Sequence, residues 1–213
     1  LEKLAKSDAT VLVTGETGAG KELVAEALHD HSPRKDGPFV VLSAASMAPD
    51  RVEEEMFGTE DRAGPRKVGA LEEAHGGTLY IDEVADMPPG TQSKILRVLT
   101  EQQFSRVGGS DKVRVDLRVI SSTTRDLQAE IVAGRFRQEL YDRLNVVPVA
   151  VPALEERRED IPELARHFIE GFNRTQGLPL RALSAEAEAL MQTMAWPGNI
   201  RQLRNAIDRL AVT

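Results

Sequence analysis

Val11-Leu12-Val13-Thr14-Gly15-Glu16-Thr17-Gly18-Ala19-Gly20-Lys21-Glu22 is the stretch that decides the fold. Four residues of β character run into a glycine-rich loop, and Leu23-Val24-Ala25-Glu26-Ala27-Leu28 continues as a helix. Glycines let the backbone curl so that successive N–H groups point inward, the helix adds its positive end, and Lys21 adds a mobile cation. Gly15, Glu16, Thr17, Gly18, Ala19, Gly20 and Lys21 are therefore candidate phosphate-binding residues, with Glu22 beside them. The alternative is a tight strand-to-helix turn with a chance lysine, which G-x-x-x-x-G-K in a strand–loop–helix context disfavours. In the general motif Ser or Thr follows the lysine to hold magnesium; Glu22 stands there instead, so the residues alone leave the metal arrangement open.

Outward from this loop the pattern repeats. Thr10 to Thr14, Phe39 to Leu42, Thr78 to Ile81, Val119 to Thr123 and Val146 to Val149 read as strands, mostly as continuous apolar runs that suit a parallel sheet covered on both faces. Helical patterns lie between them at Lys21 to His31, Arg51 to Phe57, Thr91 to Gln102, and Asp126 to Leu144 with a break at Gly134. The alternation predicts an open α/β sheet, with any ligand outside the carboxyl ends of its strands. Phe104 to Val107 and Lys112 to Leu117 flank Gly108-Gly109-Ser110-Asp111 and read as a β-hairpin. After Pro152 the strands stop, and Asp160 to Thr175, Ser184 to Ala195 and Asn199 to Val212 read as helices. Ser184 is the expected N-cap of the second, and Asn199 with Gln202 resembles a capping box for the third. The expectation is an α/β body over 1–151 and a small helical subdomain over 152–213.

Composition narrows the chemistry. The chain has 213 residues, 41% hydrophobic and 29% charged, values of an ordinary globular protein. It has no cysteine, which excludes disulfides, thiolate metal sites and a cysteine nucleophile. A formal net charge of −7 makes nucleic acid a poor default partner for this segment. The longest apolar run, near Asn145 to Leu154, is broken by Pro148 and Pro152 and is too short to span a bilayer, so no membrane partner is expected. The first residue is Leu, which reads as a piece of a longer, cytoplasmic chain.

A second constellation closes Gly76-Gly77-Thr78-Leu79-Tyr80-Ile81-Asp82-Glu83, an apolar strand ending in two acids. Asp82 suits magnesium, held through water, and Glu83 suits orienting and polarising an attacking water. A solvated strand end is the plain alternative, made the weaker one by the phosphate loop. A water-activating glutamate separates hydrolysis from kinase chemistry, so ATP hydrolysis leads. Arg137 and Arg143, six residues apart, lie within about 1.5 helical turns. They suit the charge on a transferring phosphoryl group, even across a subunit interface, and equally suit ion pairs with Glu139 and Asp142. Arg201, one turn into the last helix, is open in the same way. Four histidines share no motif, Ser121, Ser122 and Thr123 lack the setting of a nucleophile, and Glu155 to Asp160 reads as a solvated charge cluster.

With these pieces in order, the whole chain resembles the central AAA+ ATPase domain of bacterial enhancer-binding proteins, the sigma-54-dependent activators, and within them the NtrX response-regulator branch. The resemblance rests on GETGAGKE, GGTLYIDE, ILRVLTEQQFSRVGG, GRFRQELYDRLNVVPV, LEERREDI and WPGNIRQLRNAI. It implies a P-loop NTPase fold with a parallel central sheet and a helical lid. It further implies ATP and Mg2+ at Gly15 to Lys21 and at Asp82 and Glu83, with Glu22 the family's ordinary residue. Arg137 and Arg143 become arginine fingers acting in trans, and Arg201 a lid-borne sensor arginine. Self-association, from dimer to hexameric ring, is implied too. So are DNA contact through a C-terminal domain and sensor-kinase contact through a receiver domain, both outside this segment.

The departures from the family pattern are specific. Asp61-Arg62-Ala63-Gly64-Pro65-Arg66-Lys67-Val68-Gly69 stands where the activators carry the GAFTGA loop that contacts sigma-54. It has neither that motif nor its length, which argues against contact with sigma-54 RNA polymerase. Ser43 replaces the usual Asn of the second strand, and Thr124 the usual sensor Asn or His, weakening the coupling of γ-phosphate to Glu83. The leading expectation is an ATP-binding module that hydrolyses slowly and controls self-association. Alternatives are an active sigma-54 motor and a non-hydrolysing scaffold; a small-molecule kinase is disfavoured by Glu83 and the helical lid.

Overall fold

The computed structural model describes residues 2–60, 64–176 and 182–212. It divides into two compact units, one of Leu1–Thr14 and Glu22–Val149, the other of Gly15–Lys21 and Ala150–Thr213.

In the first unit the elements run α1 (Glu2–Ala5), β1 (Val11–Thr14), α2 (Lys21–Asp30), β2 (Phe39–Ser43), α3 (Pro49–Phe57), α4 (Ala70–Glu73), β3 (Thr78–Asp82) and α5 (Pro89–Glu101). They continue with β4 (Gln103–Ser105), β5 (Lys112–Arg114), β6 (Arg118–Thr123), α6 (Leu127–Val132), α7 (Gln138–Leu144) and β7 (Val147–Ala150). The sheet order is β2-β3-β6-β1-β7, and the pairs β2·β3, β3·β6 and β1·β6 are parallel. All six residues of β6 are buried, as are the first four of β3, so the central strands are covered on both faces. Leu79, Ile81, Met56, Phe57, Leu71, Ile95, Leu140 and Leu144 form the core, with Phe57 and Phe104 edge to face at 5.6 Å. The register sets Thr14 beside Thr123 and Ile81 beside Ser121, so the carboxyl ends of β1, β6 and β3 lie side by side.

The expected hairpin is shorter than its apolar pattern. Only Gln103–Ser105 and Lys112–Arg114 pair, antiparallel. Val107 leaves its partner strand to exchange hydrogen bonds with the Gly58–Glu60 backbone, while Val115 and Leu117 turn into the core. Thr59 also pairs with Lys67, pinning the base of the short segment on which the sequence comparison turned. Arg106, 6% exposed, binds Glu60 at 3.0 Å and Glu72 at 2.8 Å beneath it. Asp61, Arg62 and Ala63 of that segment lie outside the described residues.

The helical run after β6 breaks over five residues, 133–137, rather than at Gly134 alone. Asp126 caps α6 by accepting the Gln128 N–H at 2.9 Å, a contact worth about 1 kcal/mol. The break is held open by buried Gln92, whose amide donates to the Arg135 carbonyl and accepts the Arg137 N–H, at 2.9 and 3.0 Å. Arg137 therefore stands at the N-cap of α7, outside the helix.

The second unit carries a short 3-10 segment (Leu154–Asp160), α8 (Ile161–Gln176), α9 (Ala185–Thr193) and α10 (Asn199–Val212). Ile200, Leu203, Ile207 and Ala211 form the buried stripe of α10, and Ile161, Ala165 and Ile169 that of α8. Ser184 caps α9 by accepting the Ala187 N–H at 3.2 Å, as expected. The capping box at Asn199 does not form. Gln202 reaches back to the Gly198 N–H at 2.8 Å instead, and Asn199, at φ 52°, sends its side chain elsewhere. Among the described residues no helix is long and apolar enough to cross a membrane.

Candidate functional site

The loop leaves the end of β1 at Thr14 and enters α2 at Lys21. Lys21 is buried, and its Nζ donates to the carbonyls of Gly15 at 2.9 Å and Glu16 at 3.0 Å. Gly18, at φ 78°, is required as glycine: a Cβ would come within 2.5 Å of the Gly198 carbonyl and 3.1 Å of the Arg201 Cβ. Arg201 itself sits against the loop, its N–H donating to the Gly18 carbonyl at 3.4 Å, and its side chain is exposed. The structure thus brings Gly15 to Lys21 and Arg201 together within one unit.

Two further residues hold the loop, and the sequence reading assigned neither to it. Arg157, placed there among a solvated charge cluster, is half-buried: it turns in and donates to the Ala19 carbonyl at 2.7 Å. Its backbone breaks the helical run at φ −140°, ψ 51°, which is what swings the side chain inward. Asn199 donates to the Glu16 carboxylate at 3.0 Å and to the Thr17 carbonyl at 3.2 Å. The available signal was a Pro-Gly turn followed by Asn, a residue that tolerates left-handed backbone.

The tandem acids form a second cluster, in the other unit. Asp82 ends β3, in register with Ser43. Ser122 of β6 donates to Asp82 Oδ1 at 2.7 Å and accepts the Glu83 N–H at 3.2 Å. Tyr80 also donates to Asp82 Oδ1, at 3.2 Å, and burial raises its phenol above the usual range. Glu83 has φ 56° and ψ 61°, a left-handed conformation that costs about 1–2 kcal/mol in a residue with a Cβ. It is over-determined from β6: besides Ser122, Thr124 donates both its N–H and its hydroxyl to Glu83 Oε2, each at 3.0 Å. Thr124 thus touches the glutamate directly, and Ser122, set aside as a nucleophile, binds both acids. Glu22 is exposed at the start of α2.

Arg137 and Arg143 are exposed at the two ends of α7. Among the described residues neither bonds Asp82, Glu83 or Thr124, and neither forms the alternative ion pair with Glu139 or Asp142. Asp142 accepts from Gln138 at 2.9 Å instead.

Strand order, loop placement and a helical C-terminal unit together define the class: this is an AAA+ P-loop NTPase domain. A family profile described as Sigma-54 interaction domain matches residues 1–150, and one described as AAA+ ATPase lid domain matches residues 155–213. The chain belongs to the sigma-54 interaction domain family. The nitrogen assimilation regulatory protein NtrX of Azorhizobium caulinodans is 54% identical over 213 residues, 100% of this chain and 47% of the relative. The crystal structure of NtrX from Brucella abortus matches with a TM-score of 0.93 at 55% identity, over 99% of this chain and 48% of that one. A structure of the Brucella protein in complex with ATP matches with a TM-score of 0.90 at 54% identity, over 99% and 49% of the two chains. The chain spans about half the length of the curated relatives it matches.

Proposed function

We propose that the chain binds ATP with Mg2+ in the loop Gly15–Lys21 and hydrolyses it slowly, and that nucleotide controls its self-association. The supporting observation is the glycine-rich loop itself, which curls from β1 into α2 and keeps Lys21 buried against its carbonyls, with Nζ at 2.9 and 3.0 Å from those of Gly15 and Glu16. The similar Brucella protein has a structure with ATP. The body of this module is 1–151 and its lid 152–213.

The residues present fit the metal as well as the nucleotide. Asp82, a carboxylate at the end of β3, is the hard oxygen donor that suits Mg2+ as a protein anchor. Bound there, Mg2+ would supply positive charge against the phosphates. Ser122 and Tyr80 hold Asp82 in place for it through Oδ1. Glu83 orients and polarises the attacking water, and Thr124, through its two bonds to Oε2, governs where that carboxylate points. Arg201, against the loop, answers the bound phosphates. Arg137 and Arg143, exposed and bonded to neither partner acid of α7, act on the nucleotide of a neighbouring copy, in assemblies from a dimer to a hexameric ring.

Two measurements test this. Turnover per chain rises with protein concentration if the arginines act across an interface, and Arg137→Ala or Arg143→Ala lowers turnover while nucleotide affinity stays. Turnover independent of concentration contradicts the trans arrangement. The parent protein, on this reading, is a cytoplasmic two-component response regulator of the NtrX kind that contacts DNA and a sensor kinase through domains outside this segment.

Family membership favours a second reading, an active sigma-54 remodelling motor. We favour the first, because residues 58–69 lack GAFTGA and their base is pinned by the Thr59–Lys67 pairing and by Arg106. An open-complex assay with sigma-54 holoenzyme separates the two: no activity is expected, and promoter opening would establish the motor.

A further inference from the structure

Asn199 is fully buried, at 0% exposure, and spends its side chain outside its own helix. Its Oδ1 accepts the Leu154 N–H at 2.7 Å; its Nδ2 donates to Glu16 Oε2 at 3.0 Å and to the Thr17 carbonyl at 3.2 Å. One N–H faces the oxygen and two acceptors face the nitrogen, so the network admits one orientation of the amide. Glu16 and Thr17 are the two exposed residues of the phosphate loop, and Leu154 opens the segment that also carries Arg157. The left-handed backbone at φ 52° aims the side chain this way, and the N–H of Asn199 anchors it to the Trp196 carbonyl at 2.8 Å. Donors of the first turn of α10 are met by backbone instead: the Arg201 N–H by the Gly18 carbonyl at 3.4 Å and the Gln202 N–H by the Gly198 carbonyl at 3.1 Å.

We propose that Asn199 is a positioning residue: it fixes the Glu16–Thr17 limb of the phosphate loop in its binding shape and ties that shape to Leu154 at the start of the helical lid. The proposal rests on the reading of the loop as an ATP site and adds its regulation by the lid, since any rearrangement that shifts Leu154 pulls on the loop. The chemistry is specific. An aspartate at 199 keeps the acceptor for Leu154 but sets a carboxylate against the carboxylate of Glu16 and the carbonyl of Thr17. A glutamine at 16 restores a donor–acceptor pair with that aspartate.

The test is ATP affinity, measured with a fluorescent nucleotide, alongside turnover and melting without nucleotide. Asn199→Asp weakens affinity about tenfold, the size of a lost hydrogen bond to a charged group. Its kcat stays within about twofold, because the effect lies on binding. Glu16→Gln combined with Asn199→Asp regains most of the affinity, a rescue that a merely structural role would not give. Unchanged affinity in Asn199→Asp, or loss without rescue, overturns the proposal. Should Asn199→Asp fail to fold, Glu16→Ala at the exposed partner decides: about a threefold loss of affinity supports the contact, and no change overturns it. A wild-type chain that binds no ATP sinks the reading of the loop, whereas a binding wild type with an unaffected Asn199→Asp sinks this inference alone.

Discussion

The phosphate loop and the tandem acids are equally short phrases in the sequence, yet the structure holds them in opposite ways. The loop is a backbone object. Its carbonyls at Thr17 and Ala19 are gripped by Asn199 and Arg157, 182 and 138 residues away along the chain. The acids are side-chain objects, held by Ser122 of the adjoining strand and by Thr124 just past its end, only 39 to 41 residues on. Ser122 and Thr124 can change the direction of a carboxylate without changing the shape of a phosphate cradle. Asn199 and Arg157 can do the reverse. The account therefore assigns affinity to the supports of the loop and turnover to the supports of the acids.

That division can be broken by experiment. Glu83→Gln lowers turnover by about a thousandfold, within the range for loss of a general base, with affinity retained; undiminished phosphate release would remove Glu83 from its role. Ser122→Ala, which removes one hydrogen bond from each acid, lowers kcat about tenfold and leaves the dissociation constant of ATP within about twofold. A matching loss of affinity would merge the two clusters. Arg157→Met keeps the bulk but drops the donor to Ala19, and weakens affinity about fivefold at unchanged kcat. The smallest effect is the control. Glu72 is held below the ordinary carboxylate range, first by its hydrogen bonds to Arg106. Its contribution to stability is present above the unfolded pKa and fades as pH falls through the depressed folded value. Glu72→Gln thus leaves both nucleotide parameters alone and flattens the acid side of the melting-temperature profile; a shift in affinity would place this cluster in the site.

Much of the fold was legible because its signals are local. Five apolar runs gave the five parallel strands within a residue or so, and Ser184 marked the start of α9. What escaped was long-range. The hairpin stopped short because Val107 found a better partner in Gly58–Glu60, and the α6–α7 break widened because a buried glutamine from α5 satisfies its backbone. At the site, the contiguous motifs named Gly15 to Lys21, Asp82 and Glu83; of the residues that hold them, the family resemblance singled out Thr124, and Ser122, Arg157 and Asn199 escaped. Arg157 read as solvated because its neighbours are charged, and Asn199 read as a cap because Gln202 follows three positions later. In both cases a single non-helical backbone conformation redirected the side chain, and no local pattern announces that.

The central claim, that triphosphate is gripped by the loop ending at Lys21, is tested most directly by titrating ATP with Mg2+ into the Glu83→Gln chain, which binds without consuming. The same titration is run after Lys21→Ala is added. The account predicts saturable binding in the first chain and its loss in the second, with both still folded; equal binding in the two would contradict it.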